Sequence, residues 1–239
     1  MDSKKHQLSI RLLRDRDEFW KALHSDNLGW KDILSLIIFV VFACALYGVV
    51  LAGWRSPRLA LYVAIKLPFL FLGTTALVAV FNWMIASALG SGLSFRSMVL
   101  VVFASMTIGC WILLCLAPLA IFFLLTAVPA TGTHEELRYS HNVILVTHIV
   151  ILAMAGVTGN IALLKGLRSL IGDRCNVPVL FLSWLAAFAF VGCQLSWMLR
   201  PFVGSPFFPV AFMRSDALSR NFYEFLLTDV FPFLLNGVQ

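Results

Sequence analysis

Five apolar segments, each of 20 residues or more, fill most of this 239-residue sequence. They are residues 33–52, 59–86, 97–126, 142–164 and 179–199. About 20 apolar residues in a helix cross the roughly 30 Å hydrocarbon core of a bilayer. Only 13% of the residues are charged, whereas soluble domains carry about 25%. We therefore predict an all-α fold, a polytopic integral membrane helix bundle with five transmembrane helices and no separate soluble domain.

The two ends of the chain are expected to form amphipathic interfacial helices. Residues 8–27 repeat apolar side chains near the helical period, and they either dock a cytoplasmic partner or lie on the lipid headgroups. Three parts are predicted: a cytoplasmic amphipathic helix in residues 1–32, the five-span domain in 33–199, and an extracytoplasmic apolar cap with an interfacial tail in 200–239. Residues 128–140 and 165–178 are interpreted as polar loops, which places His134, Glu135 and Glu136 in solvent.

The distribution of positive charge predicts the orientation. With five spans, the side that holds the N-terminus carries eleven lysines and arginines, and the other side carries six. Cytoplasmic loops are enriched in these residues. We expect a multi-pass protein of the cytoplasmic (inner) membrane, with its N-terminus in the cytoplasm and its C-terminus outside.

The five spans contain no aspartate or glutamate. Ion-coupled transport and intramembrane hydrolysis commonly depend on a carboxylate, so a coupled transporter or an intramembrane protease is not favoured. The five cysteines show neither the CxxC pattern nor the Cys/His spacing of a metal site, and we interpret them as reduced packing residues. We expect no enzymatic activity, no metal and no cofactor.

Lys66 is the one clear charge inside a span. Its stem is long enough to reach the outer headgroups, or it faces inward to bind an acidic lipid headgroup or the carboxylate of a partner. Asn82 and Gln194 are the polar residues that would line a cavity with Lys66 if the three side chains face one another.

The fourth span places His148, Gly156 and Asn160 at intervals of four residues. Small residues allow helices to approach closely in membranes, and histidine and asparagine hydrogen-bond across the interface. This face is interpreted as a helix–helix seam, with ligation of a pigment by His148 as the alternative. A bis-histidine haem is not favoured because no other span contains a histidine.

The chain after the fifth span is irregular but apolar. Pro201 ends the helix that carries Arg200, and Gly204 and Pro206 follow among phenylalanines. Backbone groups without partners are costly in hydrocarbon, so this stretch must lie at the interface or against protein. We predict that Pro201, Gly204 and Pro206 belong to a shaped outer cap packed on the bundle or on a partner.

Two stretches carry a resemblance to known proteins. Residues 47–95 contain YGVVLAGWRSPRLALYVAIKLPFLFL and FNWMIASALGSGLSF, and residues 191–206 read VGCQLSWMLRPFVGSP. Together they resemble a set of uncharacterised bacterial multi-span membrane proteins. The five-span plan is also similar to that of the Yip-type membrane proteins of vesicle trafficking, in architecture alone, because the acidic and Gly-Tyr motifs of that family are absent. Neither resemblance implies a catalytic residue.

Three functions are compatible with the sequence. The first is a non-enzymatic membrane subunit or scaffold that acts through protein–protein and protein–lipid packing. The second is a channel or lipid-handling protein with a cavity lined by Lys66, Asn82 and Gln194, and the third is a pigment-binding subunit that uses His148. The expected partners are membrane lipids and other membrane subunits or further copies of the chain, with no nucleic acid.

Overall fold

The computed structural model describes residues 9, 10, 12, 19, 28–127, 133–205 and 208–232. Within them the fold is all-helical and contains no strand, as predicted. The helices, in chain order, are α1 (Trp30–Ala52), α2 (Pro57–Ala88), α3 (Phe95–Ala127), α4 (His134–Ile171), α5 (Val177–Leu199) and α6 (Phe222–Phe225), which continues into a wider π-helical turn (Leu226–Val230).

Helices α1 to α5 are each long and apolar enough to cross a membrane. Their most apolar windows have mean hydropathies between 1.9 and 2.8. The prediction of a multi-span membrane protein with five transmembrane helices is therefore consistent with the structure.

Polar side chains cap the first turns of α2, α3 and α5. Ser56 Oγ accepts a hydrogen bond from the Leu59 amide at 3.1 Å, immediately before Pro57 in the first turn of α2. Ser94 Oγ accepts from the Ser97 amide at the start of α3, also at 3.1 Å. Asn176 caps α5 in the same way.

Helix α4 corrects both predicted loops. It has 38 residues, so it begins inside the stretch 128–140 and ends inside 165–178. Thr133 Oγ1 accepts from the Glu136 amide, and the Glu136 carboxylate accepts from the Thr133 amide at 2.7 Å. This reciprocal pair is a capping box. The acidic residues were interpreted as a solvated loop because of their polarity, but their spacing from Thr133 is a helix-start signal.

The five long helices form a ring in the order α1, α2, α5, α4, α3. Helix α1 packs on α2 and α3, α2 packs on α5, and the most extensive contact joins α3 to α4. Helices α4 and α5 contact each other much less, and α2 and α3 hardly meet. The ring is thus tightly packed around α1 and loosely closed between α4 and α5.

Glycines allow the closest helix crossings. A Cβ atom added at Gly48 of α1 would lie 2.7 Å from the Val63 carbonyl oxygen of α2. Gly109 of α3 and Gly159 of α4 face each other, and a Cβ at either would lie within 3.2 Å of a backbone oxygen of the other helix. These contacts are the close approach that small residues permit between membrane helices.

Part of the N-terminal segment packs on the bundle. Leu12 and Phe19 are helical and buried in the same core as the spans. Trp111 Nε1 of α3 donates to the Ser9 carbonyl oxygen at 3.3 Å. The rest of the predicted helix in residues 8–27 lies outside the described residues.

Candidate functional site

A cavity of about 340 Å³ lies between α2, α3, α4 and α5. Its volume falls within the range of small-molecule pockets, about 300–1,000 Å³. Its lining residues are Leu70, Phe71 and Thr74 of α2; Val102, Ser105, Met106, Gly109, Cys110 and Leu113 of α3; Leu152, Ala155, Gly156, Gly159, Asn160 and Leu163 of α4; and Leu185, Phe188 and Gly192 of α5.

The cavity lies at the depth of the hydrocarbon core. Val102, the first lining residue of α3, is seven positions into its helix, or about 10 Å along the axis. Leu185 is eight positions into α5, or about 12 Å. Since the hydrocarbon core is roughly 30 Å thick, the cavity is near the middle of the membrane.

The wall is apolar except for three side chains. Ser105 Oγ donates to the Val102 carbonyl oxygen at 2.7 Å, and Asn160 Nδ2 donates to the Gly156 carbonyl oxygen at 2.9 Å. Thr74 is buried, and its hydroxyl oxygen has no hydrogen-bond partner. Thr74 is therefore the lining residue with unused hydrogen-bonding capacity.

Other threonines of the spans behave differently. Thr75, Thr107, Thr147 and Thr158 each donate to the carbonyl oxygen four residues earlier, at 2.7–2.8 Å. A buried hydroxyl without a partner costs about 1–3 kcal/mol. Thr74 is accordingly the exception among these threonines, a buried polar position in an otherwise apolar wall.

Two glycines keep the cavity open. A Cβ atom at Gly192 would lie 3.6 Å from Thr74 Cγ2, so a larger side chain there would enter the space beside the hydroxyl. Gly156 lines the cavity from α4 but is also exposed, with no atom within 4 Å of an added Cβ. The wall of the cavity is therefore open at Gly156.

Lys66, Asn82 and Gln194 do not line this cavity. Lys66 is fully buried, and its Nζ donates to the Pro201 carbonyl oxygen at 3.0 Å above the ring of Phe212. Asn82 lies sixteen residues further along α2, about 24 Å away along the axis. The structure does not bring these two residues together.

The other two polar residues serve separate contacts. The Asn82 carbonyl oxygen accepts from Trp184 Nε1 of α5 at 2.9 Å, while its side-chain oxygen has no partner. Gln194 Oε1 accepts from the Phe222 amide at 2.9 Å. Each residue therefore contacts a different part of the chain.

The predicted polar face of the fourth span divides into two sets. His148 is buried, and its Nδ1 lies 2.9 Å from the hydroxyl oxygen of Tyr47 in α1. Gly156 and Asn160 point instead to the cavity. The seam expected in this span is formed by His148 with α1 and by Gly159 with α3.

The segment after α5 is held by side chains that donate to its carbonyl groups. Trp54 Nε1 donates to Val203 at 2.8 Å, and Arg55 Nε donates to Ser205 at 3.0 Å. Lys66 Nζ donates to the Pro201 carbonyl oxygen in the same way. These bonds give partners to carbonyl groups of an irregular segment whose described residues form no helix or sheet hydrogen bonds. Gly204 has φ +73° and lies against Leu59. Pro206, the third predicted cap residue, lies outside the described residues.

Arg200 stands at the junction of α5 and this segment. Its guanidinium carbon lies 3.5 Å from the centre of the Trp197 ring, and Nη2 donates to Asp216 Oδ2 at 3.0 Å. Arg214 Nε lies 3.2 Å from the other oxygen of Asp216. Desolvation opposes ionisation of Asp216, but the hydrogen bond from Arg200 and the two positive charges outweigh it and lower the pKa of the carboxyl.

The tail folds back on α5. Phe190 stacks on Tyr223 with ring centres 4.7 Å apart, and Trp197 Nε1 donates to the Arg220 carbonyl oxygen at 2.8 Å. Phe188 and Gly192 line the cavity, and each is two residues from Phe190 along α5. Two residues correspond to a rotation of about 200° around a helix. The tail and the cavity therefore lie on opposite sides of α5.

Thr74, Gly192 and Tyr47 are among the residues of these sites that the sequence did not identify. Thr74 has a threonine neighbour, and Gly192 is an isolated glycine in an apolar run, so neither stands out by type. Thr74 of α2 and Gly192 of α5 are neighbours because these two helices pack on each other.

Comparison of the chain with protein families, with curated proteins and with solved structures finds no match. The resemblances to bacterial multi-span proteins and to the Yip type therefore gain no support, and the multi-span class rests on the five helices.

Proposed function

We propose that the protein is a non-enzymatic membrane protein that handles lipid by holding a hydrocarbon chain in the cavity between α2, α3, α4 and α5. The observation that carries this proposal is an apolar cavity of about 340 Å³ at the middle of the membrane. At that depth the surrounding medium consists of lipid chains. A hydrocarbon chain in a space of this size would make dispersion contacts with the apolar lining atoms, so its insertion is favourable.

The path into the cavity supports the same proposal. Helices α4 and α5 make the loosest contact between neighbours in the ring. Gly156 leaves the wall open on α4, and Leu185, Phe188 and Gly192 line the cavity from α5. A chain therefore enters sideways from the bilayer between these helices, without crossing the polar headgroups.

Closing the opening at Gly156 tests the proposal. The Gly156→Phe variant should lose about five-fold in lipid retained per protein, since about 1 kcal/mol of packing corresponds to that ratio. Retained lipid is measured by native mass spectrometry and lipid extraction after exchange into detergent. The matched control is Val157→Phe, because Val157 is the next residue, is exposed, and does not line the cavity.

Two results would overturn the proposal. One is a wild-type protein that retains no lipid after detergent exchange. The other is equal retention by the wild type, the Gly156→Phe variant and the Val157→Phe control. A loss limited to Gly156→Phe supports it.

We also propose the orientation in which the N-terminus lies in the cytoplasm of a bacterial inner membrane and the cap lies outside. The support is the excess of eleven against six basic residues on the N-terminal side. Reporter fusions at the C-terminus test this: alkaline phosphatase should be active there, and a fluorescent protein that matures only in the cytoplasm should stay dark. The reverse pattern would contradict the proposed orientation.

A membrane subunit or scaffold is the second candidate, and α5 is the feature that favours it. Only 11% of its most apolar window is buried, against 28–39% for the other spans. A partner would cover this face. Purification in mild detergent should then yield a defined oligomer or stoichiometric partners, and a lone monomer would count against this function. For the pigment alternative at His148, an absorption spectrum of the pure protein decides.

A further inference from the structure

We propose that the cap carries a binding site for a phosphate group, centred on Arg200 and assisted by Arg214. The ligand class is a phosphate anion, supplied by an anionic lipid headgroup or by inorganic phosphate. This site rests on observations at the end of α5 and is independent of the cavity. Failure of either proposal leaves the other standing.

Arg200 has more donors than the protein satisfies. Nη2 donates to Asp216, but Nε and Nη1 have no hydrogen-bond partner and are shielded from water. A guanidinium group has five N–H donors in a fixed plane. Because an unpaired donor that is shielded from water is costly, an acceptor from outside the chain would stabilise this arrangement. A phosphate group, with several acceptor oxygens, is suited to several donors at once.

The charge around Arg200 also favours an anion. Arg200 and Arg214 share the single carboxylate of Asp216, which leaves one positive charge in excess. Arg220 provides the contrast, because it pairs with both Glu224 and Asp229. The excess positive charge in this group of ion pairs therefore lies at Arg200 and Arg214.

The site is held in place and remains reachable. The Trp197 ring lies 3.5 Å beneath the Arg200 guanidinium and fixes its plane through a cation–π contact. The side chains of Arg214 and Asp216 are nearly half exposed. A ligand therefore approaches from the side of Arg214 and Asp216, where the site is open to solvent.

The position in the fold indicates which phosphate is near. Leu199 is the last residue of α5, so Arg200 lies where a membrane span ends and the headgroups begin. Basic side chains at this depth attract anionic lipids. A phosphodiester with one net negative charge matches the one excess positive charge of the site.

Titration of the purified full-length protein with phosphatidylglycerol, with phosphatidylcholine as the uncharged comparison, tests the proposal. Native mass spectrometry measures the bound lipid. We expect Arg200→Gln to weaken phosphatidylglycerol binding about tenfold and Arg200→Lys to weaken it less. The control Arg220→Gln removes an arginine that already pairs with two carboxylates, and it should bind like the wild type. In a parallel titration, inorganic phosphate is added and the thermal unfolding temperature is recorded.

The outcomes separate the two sources. Loss of phosphatidylglycerol binding in Arg200→Gln, with binding kept in Arg220→Gln, supports a lipid phosphate. Stabilisation by inorganic phosphate that depends on Arg200, without a lipid preference, supports free phosphate. Equal behaviour of the two glutamine variants in both titrations overturns the proposal. If Arg200→Gln does not fold, Arg214→Gln replaces it, because Arg214 is more exposed and shares the same carboxylate.

Discussion

Gly204 meets two requirements that a residue with a side chain cannot meet together. Its φ of +73° lies in the left-handed region, and a Cβ atom there would lie 2.5 Å from Leu59 Cδ2. A non-glycine residue in this region loses about 1–2 kcal/mol from the backbone alone. The contact with Leu59 adds a steric cost, because Leu59 is fully buried and either its side chain or the cap would have to move.

Substitution at Gly204 should therefore loosen the cap. We expect Gly204→Leu to lower the stability of the protein by more than 2 kcal/mol, about 1–2 from the backbone and the rest from overpacking. Gly90→Leu is the matched control, because Gly90 has φ +70° but no atom within 4 Å of an added Cβ. Thermal unfolding in detergent compares the two. Equal losses would show that contact with Leu59 contributes nothing.

Single residues also mark the limit of prediction from sequence. The proline at 201, the following glycine and the apolar surroundings predicted a cap packed on protein. The identity of the donors to that cap did not follow, because Trp54 and Arg55 are about 150 positions away in the chain. Lys66 and Asn82 lie in the same helix and are sixteen residues apart, or about 24 Å along its axis. That distance is too long for both side chains to line one small cavity.

At the scale of helices, the α1–α2 crossing depends on the absence of a side chain at Gly48. The nearest atoms to an added Cβ are the carbonyl oxygen and carbon of Val63, at 2.7 and 2.9 Å. Both belong to the backbone of α2, so no rotamer change relieves the clash and the helices must separate.

Two glycine-to-alanine variants measure this effect. Gly48→Ala should destabilise the protein by about 1–3 kcal/mol, as overpacking does. Gly156→Ala should be neutral or stabilising by up to about 1 kcal/mol, because alanine is the better helix former and the position is open. Unfolding in detergent, followed by circular dichroism, gives both values. A Gly48→Ala variant as stable as Gly156→Ala would rule out a tight crossing.

Element bounds were predictable where polarity changes sharply and not where it changes gradually. The apolar runs located all five spans, because the cost of exposed backbone in hydrocarbon leaves few alternatives to helix. Helix α4 is longer than predicted, because the residues at its two ends are polar and polar residues are typical of loops. Its capping box at Thr133 and Glu136 was the signal that would have placed the start.

For the whole molecule, the order of helices in the ring decides where the cavity lies. Hydropathy locates the spans but does not state that α2 packs on α5, while α4 and α5 barely meet. The cavity at Thr74 and Gly192 arises from that order. For this reason the sequence named Lys66, Asn82 and Gln194 for a cavity that these residues do not line.

The attachment of the cap and tail should depend on pH. The pKa of Asp216 is held below its ordinary value of 3.8 by Arg200 and Arg214, which together outweigh desolvation. The pKa of Asp229 is lowered as well, by hydrogen bonds from Thr228 and from Arg220. Carboxyls with a lowered pKa stabilise the fold above their unfolded-state value, and that contribution disappears as pH falls through the folded-state value.

We therefore expect the cap and tail to stay attached at neutral pH and to loosen below about pH 4. Limited proteolysis by an acid-stable protease, with cleavage mapped to residues 200–232, measures the change. Asp216→Asn should already show cleavage of this region at pH 6. A second protease that is active at pH 6 is used for that measurement. Identical cleavage of wild type and variant at both pH values would contradict a role for Asp216.

The lengths of α3 and α4 have a mechanical consequence. Their 33 and 38 residues correspond to about 50 and 57 Å, while α1 and α5, with 23 residues each, measure about 35 Å. The long pair tilts further as the bilayer becomes thinner, but the short helices stand close to its normal thickness. The gap between α4 and α5 joins a long helix to a short one. We therefore expect a change in bilayer thickness to alter the tilt of α4 more than that of α5.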